Sequence, residues 1–293
     1  MNKKFIIIIP LFNDWKSVFK LIKEIDLIAF DWKAEISILI IDDASTEKMI
    51  EIQLDLKKIN IIKIISMKKN QAHQRCIATG LKFIYEKEQF DYVIVMDADG
   101  EDRPDELNKL YENTLLHPSK TTTADRVKRS ENLIFRWMYS IHKLITFILT
   151  GKMIKFGNFS CLPREHVKKL LNKPSLWNVY CSSVIETIEN RISIPSVRGY
   201  RYFGPSKMSF LNLLLHSFSI MSVFKKIVIT RLFFIVTIYL MIFYDSLSLV
   251  ILFPLLLILL FLILIINLSK RSNIKLLNES LNNIKNIQTL KNI

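Results

Sequence analysis

Unbroken apolar runs alternate along the first hundred residues with stretches whose apolar positions recur every three or four. Residues 5–9 form the first run, Phe-Ile-Ile-Ile-Ile, stopped by Pro10; residues 36–41, 59–65 and 92–96 repeat the pattern. Short continuous runs of this kind suit strands buried on both faces. Between them, Val18, Phe19, Ile22, Ile25 and Ile28 fall at helical spacing within residues 15–28. Ile77, Leu81, Ile84 and Tyr85 do the same within residues 70–85, with Gly80 where close packing is expected. Lys3 and Lys4 ahead of the first run imitate a signal peptide. The run is too short for one, and Asn13-Asp14 follows in place of a small-residue cleavage site, so a first buried strand is the better reading. Strands alternating with helices predict an α/β fold, a mostly parallel sheet with helices on both faces.

The ends of these runs carry the candidate chemistry. The first passes from Pro10 to Asp14, the second ends in Asp42-Asp43-Ala44-Ser45-Thr46, and the fourth in Asp97-Ala98-Asp99-Gly100-Glu101-Asp102. Ligands of parallel α/β sheets gather at the carboxyl ends of the strands. Acids at three separate strand ends are harder to dismiss as solvated loops than acids at one. Asp97, Asp99 and Glu101 alternate, and at strand spacing they point the same way. Carboxylates held together repel, and such oxygen ligands suit Mg²⁺ or Mn²⁺ shared with substrate phosphates. The competing reading is an acidic loop capping the helix that Pro104 opens.

Beyond residue 104 the pattern changes. Helices are expected over 104–117 and 132–149, the second carrying Arg136, His142 and Lys143. Arg126, Arg129 and Arg136 are candidates to bind phosphate oxygens; a solvated basic face is the alternative. Residues 210–224 are apolar with polar breaks at Asn212, His216, Ser217, Ser219 and Ser222, as expected of a helix in a membrane interface. Residues 227–244 and 247–268 are apolar runs of about 18 and about 22 residues, each long enough to span a bilayer. Arg231 is placed to snorkel and Pro254 to kink its helix. Lys225-Lys226 and Lys270-Arg271 flank the outer ends of the pair and no cation lies between. Both termini and the catalytic region are therefore expected in the cytoplasm, on a multi-pass protein of the inner or plasma membrane. Residues 272–293 place Leu and Ile at helical spacing among Lys and Asn, as in an amphipathic surface helix or a partner contact.

Net charge is +14. That would suit nucleic acid, but the aromatics sit in apolar runs rather than on a basic face, so no nucleic-acid partner is expected. A basic chain with membrane segments more simply faces acidic lipid and phosphate. Cys76, Cys161 and Cys181 are widely spaced with no CxxC pair, so neither a zinc site nor a disulfide framework is expected.

Four motifs in order, Pro10-Leu-Phe-Asn-Asp14, Ile41-Asp-Asp-Ala-Ser-Thr46, Asn70-Gln-Ala-His73 and Asp97-Ala-Asp-Gly-Glu-Asp-Arg-Pro-Asp-Glu106, resemble those of glycosyltransferase family 2. The resemblance covers residues 5–205 and implies a GT-A fold that transfers a sugar from a nucleotide-diphosphate donor, usually with inversion. It implies that Pro10, Asp14, Asp43, His73, Asp97 and Asp99 line the donor nucleotide, with Asp14 where the family usually has Glu. It implies that Asp97, Asp99 and Glu101 hold the metal, Glu101 standing where polyprenyl-phosphate mannosyltransferases place a metal-ligating Gln. Residues 121–129 resemble the family's Gly-Ser-Arg strand end, with Ala124 and Asp125 as departures. Residues 198–208, including Arg201, Gly204 and Lys207, resemble a segment of membrane-bound members and read as a loop clamping the diphosphate or the acceptor. Residues 155–164 carry Asn158 and Ser160 where many relatives have Asp, which leaves Asp102, Asp105 and Asp125 as candidate bases. A hydroxyl acceptor wants such a base, whereas a phosphate acceptor is already anionic.

The expectation is a metal-dependent glycosyltransferase: a catalytic domain over 1–207, a juxtamembrane helix over 208–226, two spans within 227–268 and a cytoplasmic tail over 269–293. Asp99, Asp102, Arg126 and Lys207 are its expected catalytic residues. Its partners are a nucleotide-sugar donor, the membrane and a lipid-phosphate acceptor, foremost polyprenyl phosphate, received by Arg126, Arg136, Arg201 and Lys207. A homo-oligomer is compatible with the interfacial helix. An envelope-polysaccharide or glycolipid transferase with a hydroxyl acceptor, and a non-catalytic membrane scaffold that keeps the fold, are the alternatives.

Overall fold

The computed structural model describes residues 2–49, 54–128, 133–205, 209–246 and 248–291. Its sheet comprises β1 (Lys3–Leu11), β2 (Ala34–Asp42), β3 (Ile59–Met67), β4 (Tyr92–Val95), β5 (Thr121–Lys128), β6 (Ser160–Pro163), β7 (Arg191–Val197) and β8 (Ile284–Lys291). The order across the sheet is β7-β5-β6-β4-β1-β2-β3-β8. The four runs seen in the sequence are β1 to β4, and they pair in parallel. β6 and β8 run antiparallel to their neighbours, which makes the sheet mixed.

β1 shows why the runs are unbroken. Phe5, Ile7 and Ile9 enter one core layer with α1 (Trp15–Ile28) and α3 (Leu107–Leu116). Ile6 and Ile8 enter the other with α2 (His73–Lys87), α5 (Arg164–Leu171) and α6 (Tyr180–Thr187). Both faces are covered, and each buried Ile contributes about 1.5–3 kcal/mol relative to exposure. Gly80 packs α2 against the sheet as expected: a Cβ there would meet Ile41 and Ile8 at 3.2 Å. β5, β6 and β7 were not legible as apolar runs. β5 buries Thr121, Thr122 and Thr123, and β6 is only four residues long.

The remaining helices form a second body against the first. α4 (Leu133–Thr150), α7 (Phe210–Val223), α8 (Lys225–Ile242) and α9 (Leu249–Ser269) pack around Leu149, Met221, Val228, Leu232 and Ile265. α7 is turned inside out: Ser217, Ser219 and Ser222 are buried, whereas Leu211 is 70% exposed and Leu213 and Leu215 also face outward. Among the described residues, the helical stretch from Leu249 is the one long and apolar enough to cross a membrane by length and composition. The first of the two predicted spans, α8, carries Lys225, Lys226 and Arg231. Arg231, expected to snorkel, has partners within the helical body. It donates to the carbonyls of Phe147 at 3.1 Å and Ile148 at 2.5 Å, closing the C-terminal end of α4.

The tail also departs from its helical expectation. After the short α10 (Ile274–Asn278), β8 pairs antiparallel with β3, placing Gln288 opposite Ile64. Apolar residues three apart, Ile284, Ile287 and Leu290, suit a helix locally, but the unpaired edge of β3 supplies backbone partners that an isolated short helix lacks. The chain thus leaves the sheet after β7, runs through the apolar helices and returns to the opposite edge.

Candidate active site

The carboxyl ends of β1, β2 and β4 lie side by side, with Leu11 opposite Asp42 and Ile8 opposite Val95. Three non-glycine residues at this face have positive φ: Asn13 at 52°, Ala44 at 58° and Ala72 at 73°. Such backbone costs of order 1–3 kcal/mol per residue and persists where surrounding contacts over-determine it. Those contacts are present. Asn13 Oδ1 accepts the amides of Thr46 and Glu47, and Asp43 accepts those of Gln71 at 2.6 Å and Ala72 at 2.9 Å. Asp43 is therefore a buried brace for the loop that presents His73, and its burial pushes its carboxyl up. Pro10 is buried near the carboxyl end of β1.

Asp97 and Asp99 head two separate networks. His73 Nε2 lies 3.0 Å from Asp97 Oδ1, and Asn158 Nδ2 donates to the same oxygen at 3.0 Å. The Asp97 amide donates to Asp102 Oδ2 at 3.0 Å, and Arg126 stands 3.6 Å from the other Asp102 oxygen. Asp99 takes Arg201, whose second nitrogen reaches Asp14: 2.5 Å and 2.6 Å bridge the ends of β4 and β1. Glu101 is occupied by Arg198. Residues 198–202 are also bonded to the acidic loop by backbone, the Gly199 amide to the Glu101 carbonyl at 2.8 Å and the Tyr202 amide to the Asp99 carbonyl at 2.9 Å. Gly100, at φ 84°, accommodates the Tyr202 ring beneath it, where a Cβ would sit 2.6 Å from ring carbons.

Proton affinities diverge accordingly. Burial alone would raise Asp97, but His73 and the hydrogen bonds from His73 and Asn158 outweigh it and hold the group well below the usual carboxylate range. Burial, then the charge of Asp97, pushes Asp99 up to about 6. The same causes push Asp102 up to about 7, partly offset by Arg126. Burial opposes the charged imidazole of His73, yet Asp97 beside it raises it above the ordinary histidine value.

Asp97 and Asp99 have the donor chemistry a divalent cation takes, since Mg²⁺ commonly uses one or two carboxylates and completes its shell with water and substrate phosphates. The Glu101 amide donates to Asp99 Oδ1 at 3.0 Å, while its carboxylate pairs with Arg198. Among the described residues, no three His, Cys, Asp or Glu side chains form a group able to hold a metal. A cavity of 540 Å³ is lined by Glu24, Gly100, Arg103, Asp105, Arg198 and Tyr202 among others. Of the other expected residues, Lys207 and Arg129 lie outside the described residues, and Arg136 and His142 are described in backbone only. Asn158 appears in the sequence as a departure where relatives carry Asp. In the fold it is a direct partner of Asp97. Arg198, too, was visible only as part of a longer segment.

Fold and site together put acids at the carboxyl ends of neighbouring parallel strands of an α/β sheet, and comparison with known proteins supplies the family. Residues 6–178 match the family model Glycosyl transferase family 2, and the chain belongs to that family. It is 24% identical over 229 residues to the undecaprenyl-phosphate 4-deoxy-4-formamido-L-arabinose transferase of Klebsiella pneumoniae, covering 72% of this chain and 64% of that one. It is 30% identical over 125 residues to an uncharacterized protein of Methanocaldococcus jannaschii, covering 42% and 49%. The matched region thus spans 49% to 64% of the length of these relatives. Glucosyl-3-phosphoglycerate synthase from Mycobacterium tuberculosis, solved with Mn²⁺, uridine-diphosphate-glucose and phosphoglyceric acid, shares the fold at a TM-score of 0.53 and 12% identity, over 77% of this chain and 80% of that one. The GT-A-like α/β fold and membership of a glycosyltransferase family are established by these likenesses.

Proposed function

We propose that this protein transfers a sugar, with inversion, from a nucleotide-diphosphate donor to a lipid-phosphate acceptor at the cytoplasmic leaflet, foremost polyprenyl phosphate. The observation that carries this reading is the Asp97–Asp99 pair at the end of β4, held by His73 and Asn158 on one side and by Arg201 on the other. A bound Mg²⁺ or Mn²⁺ would supply positive charge against the departing diphosphate. Asp97 and Asp99 are the residues to hold it. Arg201 already spans Asp99 and Asp14, and its forked guanidinium suits exchange of these carboxylates for phosphate oxygens when a donor enters. Asp102 is only 4% exposed and bonds the Asp97 amide. It positions the acid rather than meeting an acceptor hydroxyl. A phosphate acceptor requires no such base, and the curated Klebsiella relative is an undecaprenyl-phosphate transferase by name.

The outer surface of the helical body supports a membrane seat. Ile141, Leu144, Ile145 and Ile148 of α4 form an exposed stripe at helical spacing, and α4 packs on α8. Outward leucines of α7 and exposed apolar residues of α8 and α9 add to it. In water this surface would be unfavourable; in lipid it is the expected one. Lys225, Lys226, Lys270 and Arg271 lie at the sheet-proximal ends of α8 and α9 and Asp245 at their distal turn, which favours a cytoplasmic catalytic domain.

The test is transfer by purified protein in vesicles, with Mg²⁺ or Mn²⁺, from a panel of labelled nucleotide sugars to polyprenyl phosphate. Transfer is expected from one donor class. Asp99→Asn is expected to reduce it by about 10²–10³-fold, the usual scale for losing one electrostatic group at a transfer site. No transfer from any donor would sink the proposal, and transfer to a glycan hydroxyl alone would replace it with an envelope-polysaccharide or glycolipid role.

A further inference from the structure

We infer that Asn178 and Gln74 are positioning residues through which the seat of the α8–α9 pair sets the Asp97 carboxylate. This gives the transferase reading a means of holding the donor site in register with the membrane. Asn178 is buried at 8% exposure, and its amide nitrogen bonds to α7 and to the end of α9. It donates to Ser222 Oγ of α7 at 3.1 Å, to the carbonyl of Leu268 in the last turn of α9 at 3.3 Å and to Ser272 Oγ at 3.4 Å. Two residues on, the Tyr180 amide donates to Gln74 Oε1 at 2.7 Å. Gln74 Nε2 donates to Asn158 Oδ1 at 3.3 Å, and Asn158 Nδ2 donates to Asp97.

A second route runs beside the first. Tyr180 Oη lies 2.7 Å from Ser160 Oγ, and Ser160 Oγ donates to the Asn158 carbonyl at 2.8 Å. Trp177, Val179 and Tyr180 are fully or almost fully buried, so the short segment joining the two ends is clamped. A shift of α9 must therefore be transmitted along these bonds or leave buried donors unmatched, which is costly.

Hydrogen–deuterium exchange on the full chain in phospholipid vesicles tests this without metal, sugar or acceptor. Asn178→Leu and Gln74→Met are each expected to speed exchange of residues 97–102 by about two- to thirty-fold, the range of couplings carried through packed polar networks. The double variant is expected to do no more than Gln74→Met alone. Ser182→Ala removes a hydroxyl that donates to the Ile220 carbonyl of α7 at 3.3 Å but lies outside both routes. It should leave residues 97–102 unchanged. Faster exchange confined to α7 and the end of α9 in Asn178→Leu would overturn the inference, as would an equal effect of Ser182→Ala. If Asn178→Leu does not fold, Gln74→Met alone must speed exchange both at 97–102 and at 268–272, and failure at either end overturns it. Loss of sugar transfer in the wild-type chain with this exchange pattern intact would instead count against the transferase reading alone.

Discussion

Individual residues at the strand ends trade local strain for placement, and that trade is testable one side chain at a time. Gly100 needs its positive φ and lacks room for a Cβ beneath the Tyr202 ring. Gly100→Ala is expected to destabilise the protein by about 1–3 kcal/mol and to release residues 198–202. Thermal unfolding and a raised donor KM would register both effects. Ala72 is the converse case. Its φ of 73° is one glycine adopts freely, so Ala72→Gly should raise stability by about 1 kcal/mol, the strain relieved less the entropy glycine adds to the unfolded chain. An unfolding midpoint that falls would show that Ala72 is not strained. The acids themselves were legible in the sequence, because a buried run ending in carboxylates is a local pattern. Their partners were not. Arg201 lies 102 residues from Asp99 and 187 from Asp14, and no local spacing announces a contact closed only by the fold.

Among the elements, legibility followed how each one is buried. β1 to β4 stood out because lipophilic cover on both faces forces continuous apolar sequence. β5 packs threonines and β6 is too short for a period, so neither did. α7 was expected in a membrane interface from its mixed composition; in the fold its polarity runs opposite to that of a water-facing helix, since serines make the inner contacts with Asn178 and its own backbone. β8 is the element whose local pattern misleads most, and it has the clearest consequence. Truncation before Ile284 should bare the β3 edge, including the partly exposed Ile61. An uncovered edge offers unpaired amides to other chains. The expected result is a lower unfolding midpoint and concentration-dependent association in size-exclusion chromatography of detergent-solubilised protein. A truncated chain that stays monomeric with an unchanged midpoint would mean that β8 adds little to the sheet.

For the whole molecule, β8 turns a question about two helices into a constraint on topology. β7 and β8 belong to the same sheet, so the chain between them must leave and return on one side of any bilayer. If α9 crosses, α8 must cross as well, because a single crossing would strand β8 opposite β3. Length permits it: 18 residues of α8 extend about 27 Å at 1.5 Å per residue, close to the hydrocarbon thickness. Its most awkward charge, Arg231, is partnered by α4 carbonyls. Cys76, Cys161 and Cys181 are buried, so an added cysteine can report alone. A membrane-impermeant maleimide should label Lys275→Cys from the cytoplasmic side only, and Asp245→Cys, in the turn between α8 and α9, from the opposite side only. Labelling of both from the same side would leave the pair lying against the bilayer instead of through it. The sheet would still be closed by β8, but the positions of the flanking cations would lose their meaning as a guide to orientation.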